Sequence, residues 1–161
     1  MDKQSLIDSL RDVQFLHGLG NEHLRQIADV TRLRDVEPGQ ILFREGDVPH
    51  DVFLVVTGGV GLDIGTPGGQ SRRIADVGPG EILGWSALLE RTQMTATATT
   101  LSPTCIAEIN TGELLNICQR NPRLGYELLR RTSLALASRL SATRVQLVDA
   151  YGSHMLPGNK Q

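Results

Sequence analysis

The chain has 161 residues, a formal net charge of -2 at neutral pH and two cysteines. A chain of this length buries a sufficient core in one domain without disulfide staples, and nothing in its overall charge calls for nucleic acid or a membrane surface. No basic cluster followed by an apolar run opens it, and no stretch of about 18 apolar residues interrupts it, so the expectation is a cytoplasmic protein with no membrane partner. Cys105 and Cys118 lie far apart, without CxxC or metal-ligand spacing, and read as small buried apolar residues.

Residues 4–31 place Leu6, Leu10, Val13, Leu16, Leu19, Leu24, Ile27, Ala28 and Val30 at helical spacing, broken at Gly18 and Gly20. Two short helices around a turn are predicted. From 32 to 110 the texture changes to short β-branched runs divided by Gly and Pro: 40–43, 52–57, 60–64, 72–77, 95–100 and 104–109. Six or more short strands joined by turns predict an antiparallel sandwich or barrel. Thr66-Pro67-Gly68-Gly69 is a hairpin tip, because Pro presets the first turn angle and Gly accepts positive φ. Helical spacing resumes over 111–150, completing one domain across 1–150, and residues 151–161 are expected to be a disordered tail.

Two groups of residues carry a family resemblance. Gly80-Glu81-Ile82-Leu83-Gly84-Trp85-Ser86-Ala87-Leu88-Leu89, followed by Arg91 and Met94-Thr95-Ala96, resembles the phosphate-binding cassette of the cyclic nucleotide-binding domain family. Upstream, Gly39-Gln40-Ile41-Leu42-Phe43, Gly46-Asp47, Phe53-Leu54-Val55 and Gly58-Gly59-Val60 are similar to that family's opening strands. Together the motifs span residues 10–150. The resemblance implies a mainly β fold, an eight-stranded antiparallel jelly-roll barrel with short N-terminal helices and a long C-terminal helix. The implied pocket lies at Gly80, Glu81, Gly84, Trp85, Ser86, Arg91, Met94, Thr95 and Ala96.

The family pattern is not fully kept. Trp85 stands where the family places the glutamate that accepts from the ribose 2'-hydroxyl, and Met94 stands where it places the phosphate-pairing arginine. Trp85 has only an N–H donor and fills ribose space, while Met94 supplies no charge. A bidentate guanidinium–phosphate contact contributes roughly 1.5 to 3 kcal/mol. Losing both contacts therefore weakens a cyclic nucleotide by about 10²- to 10⁴-fold. A short helix beginning near Gly80 and Glu81 is expected to aim N–H groups at the pocket, with Gly84 permitting close approach and Thr95-Ala96 touching an anion. Arg91 either swings in to replace the missing charge or remains a solvated loop arginine. In the catabolite activator branch a Thr-Ser pair on the last helix reaches the base; counting from Asn121-Pro122, those positions are Arg139 and Leu140 here. Three readings of the cassette stay open: a packed corner of the barrel, a pocket for a different small ligand, or a cyclic nucleotide site with atypical contacts.

The last helix is expected from Pro122, a favourable first helical residue, to about Ala150. Leu129, Ser133, Leu136, Leu140, Thr143, Leu147 and Ala150 form a heptad seam, and Leu128, Leu134, Val145 and Val148 a second apolar set. One stripe is expected to face the barrel and the other a second copy, with burial of both in a monomer as the alternative. Arg123, Arg130, Arg131, Arg139 and Arg144 outnumber Glu127 and Asp149 but lack interleaved aromatics, so they read as a solvated face and not a nucleic-acid patch. Residues 151–161 are too few for a DNA-reading module, and Gly152-Ser153-His154-Met155 resembles a cloning scar.

These features make a non-enzymatic sensor or regulatory module, a homodimer with an unidentified small-molecule or protein partner, the leading expectation. A cupin-type metalloenzyme is the rival from another class. It needs imidazoles clustered on facing strands, whereas His17, His23, His50 and His154 fall in turns, helices or the tail, with no His-x-His. A haem sensor needs an axial ligand in the pocket, where only Met94 is near. No catalytic residue, metal or certain cofactor is assigned; cyclic nucleotide is the implied ligand that Trp85 and Met94 disfavour.

Overall fold

The structure is a computed structural model that describes residues 2–154. Strand β3 (Asp51–Thr57) carries Val52-Phe53-Leu54-Val55, four successive residues that are almost fully buried, so both of its faces must be covered. Val52 and Leu54 belong to a core shared with the helices, whereas Phe53 and Val55 belong to the barrel interior between two sheets. The first sheet runs β1 (Thr31–Val36), β8 (Thr104–Asn110), β3, β6 (Ile82–Leu83); the second runs β2 (Ile41–Phe43), β7 (Thr97–Thr100), β4 (Val60–Gly65), β5 (Ser71–Val77). Every pairing is antiparallel. Leu54 stands opposite Ala107 on β8 and Ile82 on β6, so the strand that leads into the cassette is registered against the most buried strand of the barrel.

Helices cover the outer face of the first sheet. α1 (Lys3–Asp12) begins where the Asp2 side chain accepts from the Ser5 N–H at 2.7 Å. A short 3₁₀ turn (Gln14–Leu16) and α2 (Asn21–Asp29) follow, and Ile7, Leu10, Leu16, Leu24 and Ile27 pack onto Val52, Leu54 and Ile109. α3 (Thr111–Arg120) is capped by Asn110, whose side chain accepts from the Glu113 N–H at 2.9 Å. α4 (Pro122–His154) is a single helix of 33 residues, about 50 Å long at 1.5 Å per residue.

The eight-stranded barrel, the N-terminal helices and the Thr66–Gly69 hairpin match the sequence reading, with the Thr66 N–H donating to Gln70 O at 2.7 Å. Two strands are additions. β1 has a buried Val36 but a charged sequence, Arg32-Leu33-Arg34-Asp35, that offers little apolar alternation, and its first residue, Thr31, lies inside the range assigned to helix. β6 has two residues and sits where a helix was expected to start. α4 also continues past Ala150, so Tyr151–His154 are helical and not part of a disordered tail; residues 155–161 lie outside the described residues. Both cysteines are half-buried, and burial raises both thiols above their ordinary pKa. Among the described residues, no helix is long and apolar enough to cross a membrane.

One backbone position is unusually constrained. Gly58, at the β3–β4 turn, has φ +87°, and a Cβ there would lie 2.5 Å from both Pro103 O and Thr104 Oγ1. Gly58→Ala is expected to destabilise the fold by about 1–3 kcal/mol, since it combines backbone strain with an atomic clash. Urea denaturation checks this: the midpoint falls while the dependence on denaturant stays unchanged.

Candidate functional site

The cassette follows β5, the edge strand of the second sheet, and crosses to β6 of the first through a sharp corner. Gly80 N–H donates to Val55 O at 2.8 Å, its carbonyl accepts from Phe15 N–H at 3.0 Å, and Val55 N–H donates to Glu81 O at 3.0 Å. These groups are occupied in strand and turn pairing, so no helix begins at Gly80 and the anion-binding role expected of its backbone is not available. Glu81 is likewise structural: its Oε2 accepts from the Gly78 N–H at 2.7 Å and closes the turn. After β6, Gly84 adopts φ +74°, and a Cβ there would come within 3.0 Å of the Phe53 ring and 3.4 Å of Asp51 O. Glycine is required because the chain turns directly over the barrel's aromatic pair, Phe43 and Phe53, whose centroids are 5.6 Å apart.

A helical turn starts at Trp85, five residues beyond the expected position, with Leu89 N–H donating to Trp85 O at 3.1 Å and Arg91 N–H to Ser86 O at 2.9 Å. The return segment is tied to the β2–β3 loop. Met94 N–H donates to Asp47 O and Met94 O accepts from Gly46 N–H, both at 2.8 Å. This pairing fixes the backbone of residue 94, and the Met94 side chain is buried.

These elements enclose a small pocket lined by Phe43, Leu62, Gly84, Trp85, Ser86, Met94, Thr95, Ala96 and Arg139, with a free volume of about 40 Å³. Thus Gly84, Trp85, Ser86, Met94, Thr95 and Ala96 converge as the sequence suggested. Gly80, Glu81 and Arg91 do not. Arg91 is exposed and does not line this pocket; it lines an adjoining cleft with Glu45, Gly46 and Thr92 that shares Met94 and Thr95 with the pocket.

Arg139 departs from the solvated arginine face expected of it: its guanidinium lies 4.3 Å from the Trp85 ring centroid and donates from Nη2 to Ile82 O at 2.9 Å. Burial pulls its pKa below the ordinary arginine range, with the Glu81 charge opposing that shift. Arg131 also leaves solvent: its Nη1 donates to Phe15 O at 3.0 Å and His17 O at 2.8 Å. Counting from Asn121-Pro122 had already placed Arg139 at a ligand-facing position; the signal passed over was its helical phase, since Leu124, Leu128, Thr132, Ala135 and Arg139 share one face. Leu124, Leu128 and Thr132 on that face are buried.

That face, and neither of the two apolar stripes as drawn from sequence, packs on the domain. Leu128 alone of the second set is buried; Leu134, Val145 and Val148 are 57%, 61% and 69% exposed. Within the heptad seam Leu136 is half-buried, whereas Leu129, Leu140, Thr143 and Leu147 are exposed. Burial of both stripes within one copy is therefore ruled out. Among the described residues no group of three or more His, Cys, Asp or Glu side chains is placed to hold a metal ion.

A jelly-roll barrel whose cassette corner meets a long final helix is the architecture of a regulatory domain. Residues 33–121 match the cyclic nucleotide-binding domain family, and the chain belongs to it. It is similar to the cyclic AMP receptor protein of Thermus thermophilus, 29% identical over 131 residues that cover 81% of this chain and 59% of that protein. Its fold is similar to the N-terminal domain of a transcriptional regulator from Streptomyces coelicolor A3(2), with TM-score 0.68, 27% identity and coverage of 81% and 94% of the two chains. A cyclic nucleotide-binding domain from Methylobacillus flagellatus KT shares the fold at TM-score 0.78 with 20% identity, over 98% of this chain and 86% of that one. The chain spans between about a quarter and three fifths of the length of the first curated relatives it matches.

Trp85 is the chain's only tryptophan, so its cover can be observed directly. Arg139→Ala is expected to raise acrylamide quenching of Trp85 fluorescence severalfold and to lower stability by about 1–2 kcal/mol, the scale of a desolvated cation–π contact. Stern–Volmer plots and thermal melts of the two proteins check this.

Proposed function

We propose that this domain is a non-enzymatic sensor that does not take cyclic AMP or cyclic GMP in the family's usual way. The observation that carries the reading is the insertion of Arg139, from the final helix, into the cassette against Trp85 and Ile82 O. A free volume of about 40 Å³ is far below the roughly 300 Å³ at which small-molecule pockets usually begin. The two positions from which the family holds ribose and phosphate carry Trp85 and Met94, and Met94 is fixed by two backbone hydrogen bonds.

Output passes along α4 to a second copy. Arg139 couples the pocket to the middle of that helix, and the next turns leave the domain with every residue from 140 to 152 exposed. Leu129, Leu136, Leu140, Thr143 and Leu147 form the seam through which two parallel helices pair, with exposed apolar area as the driving term. A displacement at Trp85 would thereby alter the register or spacing of the pair. Whatever larger assembly the domain serves receives the signal from that helix pair.

Titration calorimetry with cyclic AMP and cyclic GMP is expected to show no binding tighter than about 10 μM; submicromolar binding of either would overturn the reading of Trp85 and Met94. Light scattering is expected to give twice the chain mass for the natural sequence and the single chain mass for Leu140→Asp, which places a charge in the apolar seam. A concentration-independent monomer for both would remove the dimer from the proposal.

A further inference from the structure

The first sheet ends in an open edge at β1. Just before that strand begins, the Asn110 N–H donates to Val30 O at 3.1 Å. Antiparallel neighbours alternate between pairs that exchange hydrogen bonds and pairs that do not. With Val30 and Asn110 bonded, the register carries the bonding to Arg32–Glu108, Arg34–Ile106 and Val36–Thr104. The N–H and C=O groups of Thr31, Leu33 and Asp35 therefore point outward, and no loop among the described residues is bonded to them. Such a row is a template for another strand.

The two faces beside this edge differ in chemistry. On the helical face a cleft of about 430 Å³ lies between α1 and β1, lined by Leu6, Ala28 and Leu33 with the Lys3–Asp29 ion pair beside them. On the other face Arg32 and Arg34 share one carboxylate, Glu108, at 2.9 and 3.5 Å. The two arginine side chains are 76% and 43% exposed, whereas Glu108 is 14% exposed. The acids Asp51 and Glu113 stand on β3 and α3, inward of β1. Charge thus changes sign across the sheet, and a strand added outside β1 meets the cationic row first. A second copy does not fit there. Any antiparallel pairing of two β1 edges that joins two or more free residues of each sets Arg32 or Arg34 opposite an arginine of the other copy, and like charges directly opposite are destabilising.

We infer that the β1 edge docks an extended segment of a partner protein as an added antiparallel strand, with apolar side chains entering the Leu6–Leu33 cleft and acidic side chains opposite Arg32 and Arg34. Main-chain pairing to Thr31, Leu33 and Asp35 supplies attraction, and the alternation of faces supplies selection. The surface uses no residue of the cassette or of α4, so it stands independently of the sensor reading.

The test is backbone amide hydrogen exchange of the full chain, followed by NMR, with and without a capped hexapeptide alternating valine and glutamate. In the free chain Arg32 and Arg34 are expected to exchange at least tenfold more slowly than Leu33 and Asp35. Saturating peptide is expected to slow Leu33 and Asp35 at least tenfold, with half-saturation below about 1 mM by anisotropy of a labelled peptide. A hexapeptide alternating valine and lysine is expected to bind at least tenfold more weakly, and Arg32→Glu to weaken the acidic peptide by a similar factor. Leu33→Pro removes a free N–H and no ladder bond, and is expected to abolish binding. Methylating the peptide's valine nitrogens, which must face β1, is expected to abolish binding without any change to the chain, whereas methylating its glutamate nitrogens is not. No saturable binding of the acidic peptide, equal binding of the lysine or valine-methylated peptide, or protection that omits Leu33 would overturn the assignment.

Discussion

Burial of β3 on both faces is the constraint from which the rest of the architecture follows. Because side chains alternate along a strand, Val52 and Leu54 require helices on one side, while Phe53 and Val55 require a second sheet on the other. A two-layer sandwich covers only the inner face. The N-terminal helices and the first part of α4 are thus components of one core, not appendages to a barrel. The same alternation continues on β6, where Ile82 joins the helical core and Leu83 the barrel interior.

The site inherits its geometry from that arrangement. β6 pairs with β3 through Phe53 and Leu54, which fixes the point at which the cassette leaves the sheet. Gly84 then allows the backbone to cross the Phe53 ring, and Trp85 emerges where the helical core meets the pocket. α4 packs on the same core through Leu124 and Leu128, so the helical periodicity that buries them carries Arg139 to the indole. One arginine side chain, held by a single carbonyl and a ring face, thereby joins the cassette to the final helix.

Much of this was legible in the sequence. Turn-forming glycines at 39, 46, 58, 69, 80 and 84 all adopt positive φ, as the short-strand pattern with Gly-rich corners requires. Strands rich in Val, Ile and Thr were evident because β-branched residues between breakers leave few alternatives. β1 and β6 were not evident, for opposite reasons. β1 is an edge strand with charged residues on its open side, where Arg32 and Arg34 pair with Glu108 across the sheet. β6 is too short for any periodicity, and only its pairing to β3 makes it a strand.

Local sequence by itself determined the family, the barrel and the absence of the usual ribose- and phosphate-holding side chains, since each depends on residue types at fixed short spacings around turns. It also determined that α4 would be long and would carry more apolar surface than one packed face uses. Only tertiary structure decided which side of α4 faces inward, and hence that Arg139 is a pocket residue while Leu140 is exposed. The physical reason is distance along the chain. Arg139 and Trp85 are 54 positions apart, and they meet only because β3 brings the cassette and the final helix onto one core, a relation that no short-range pattern encodes.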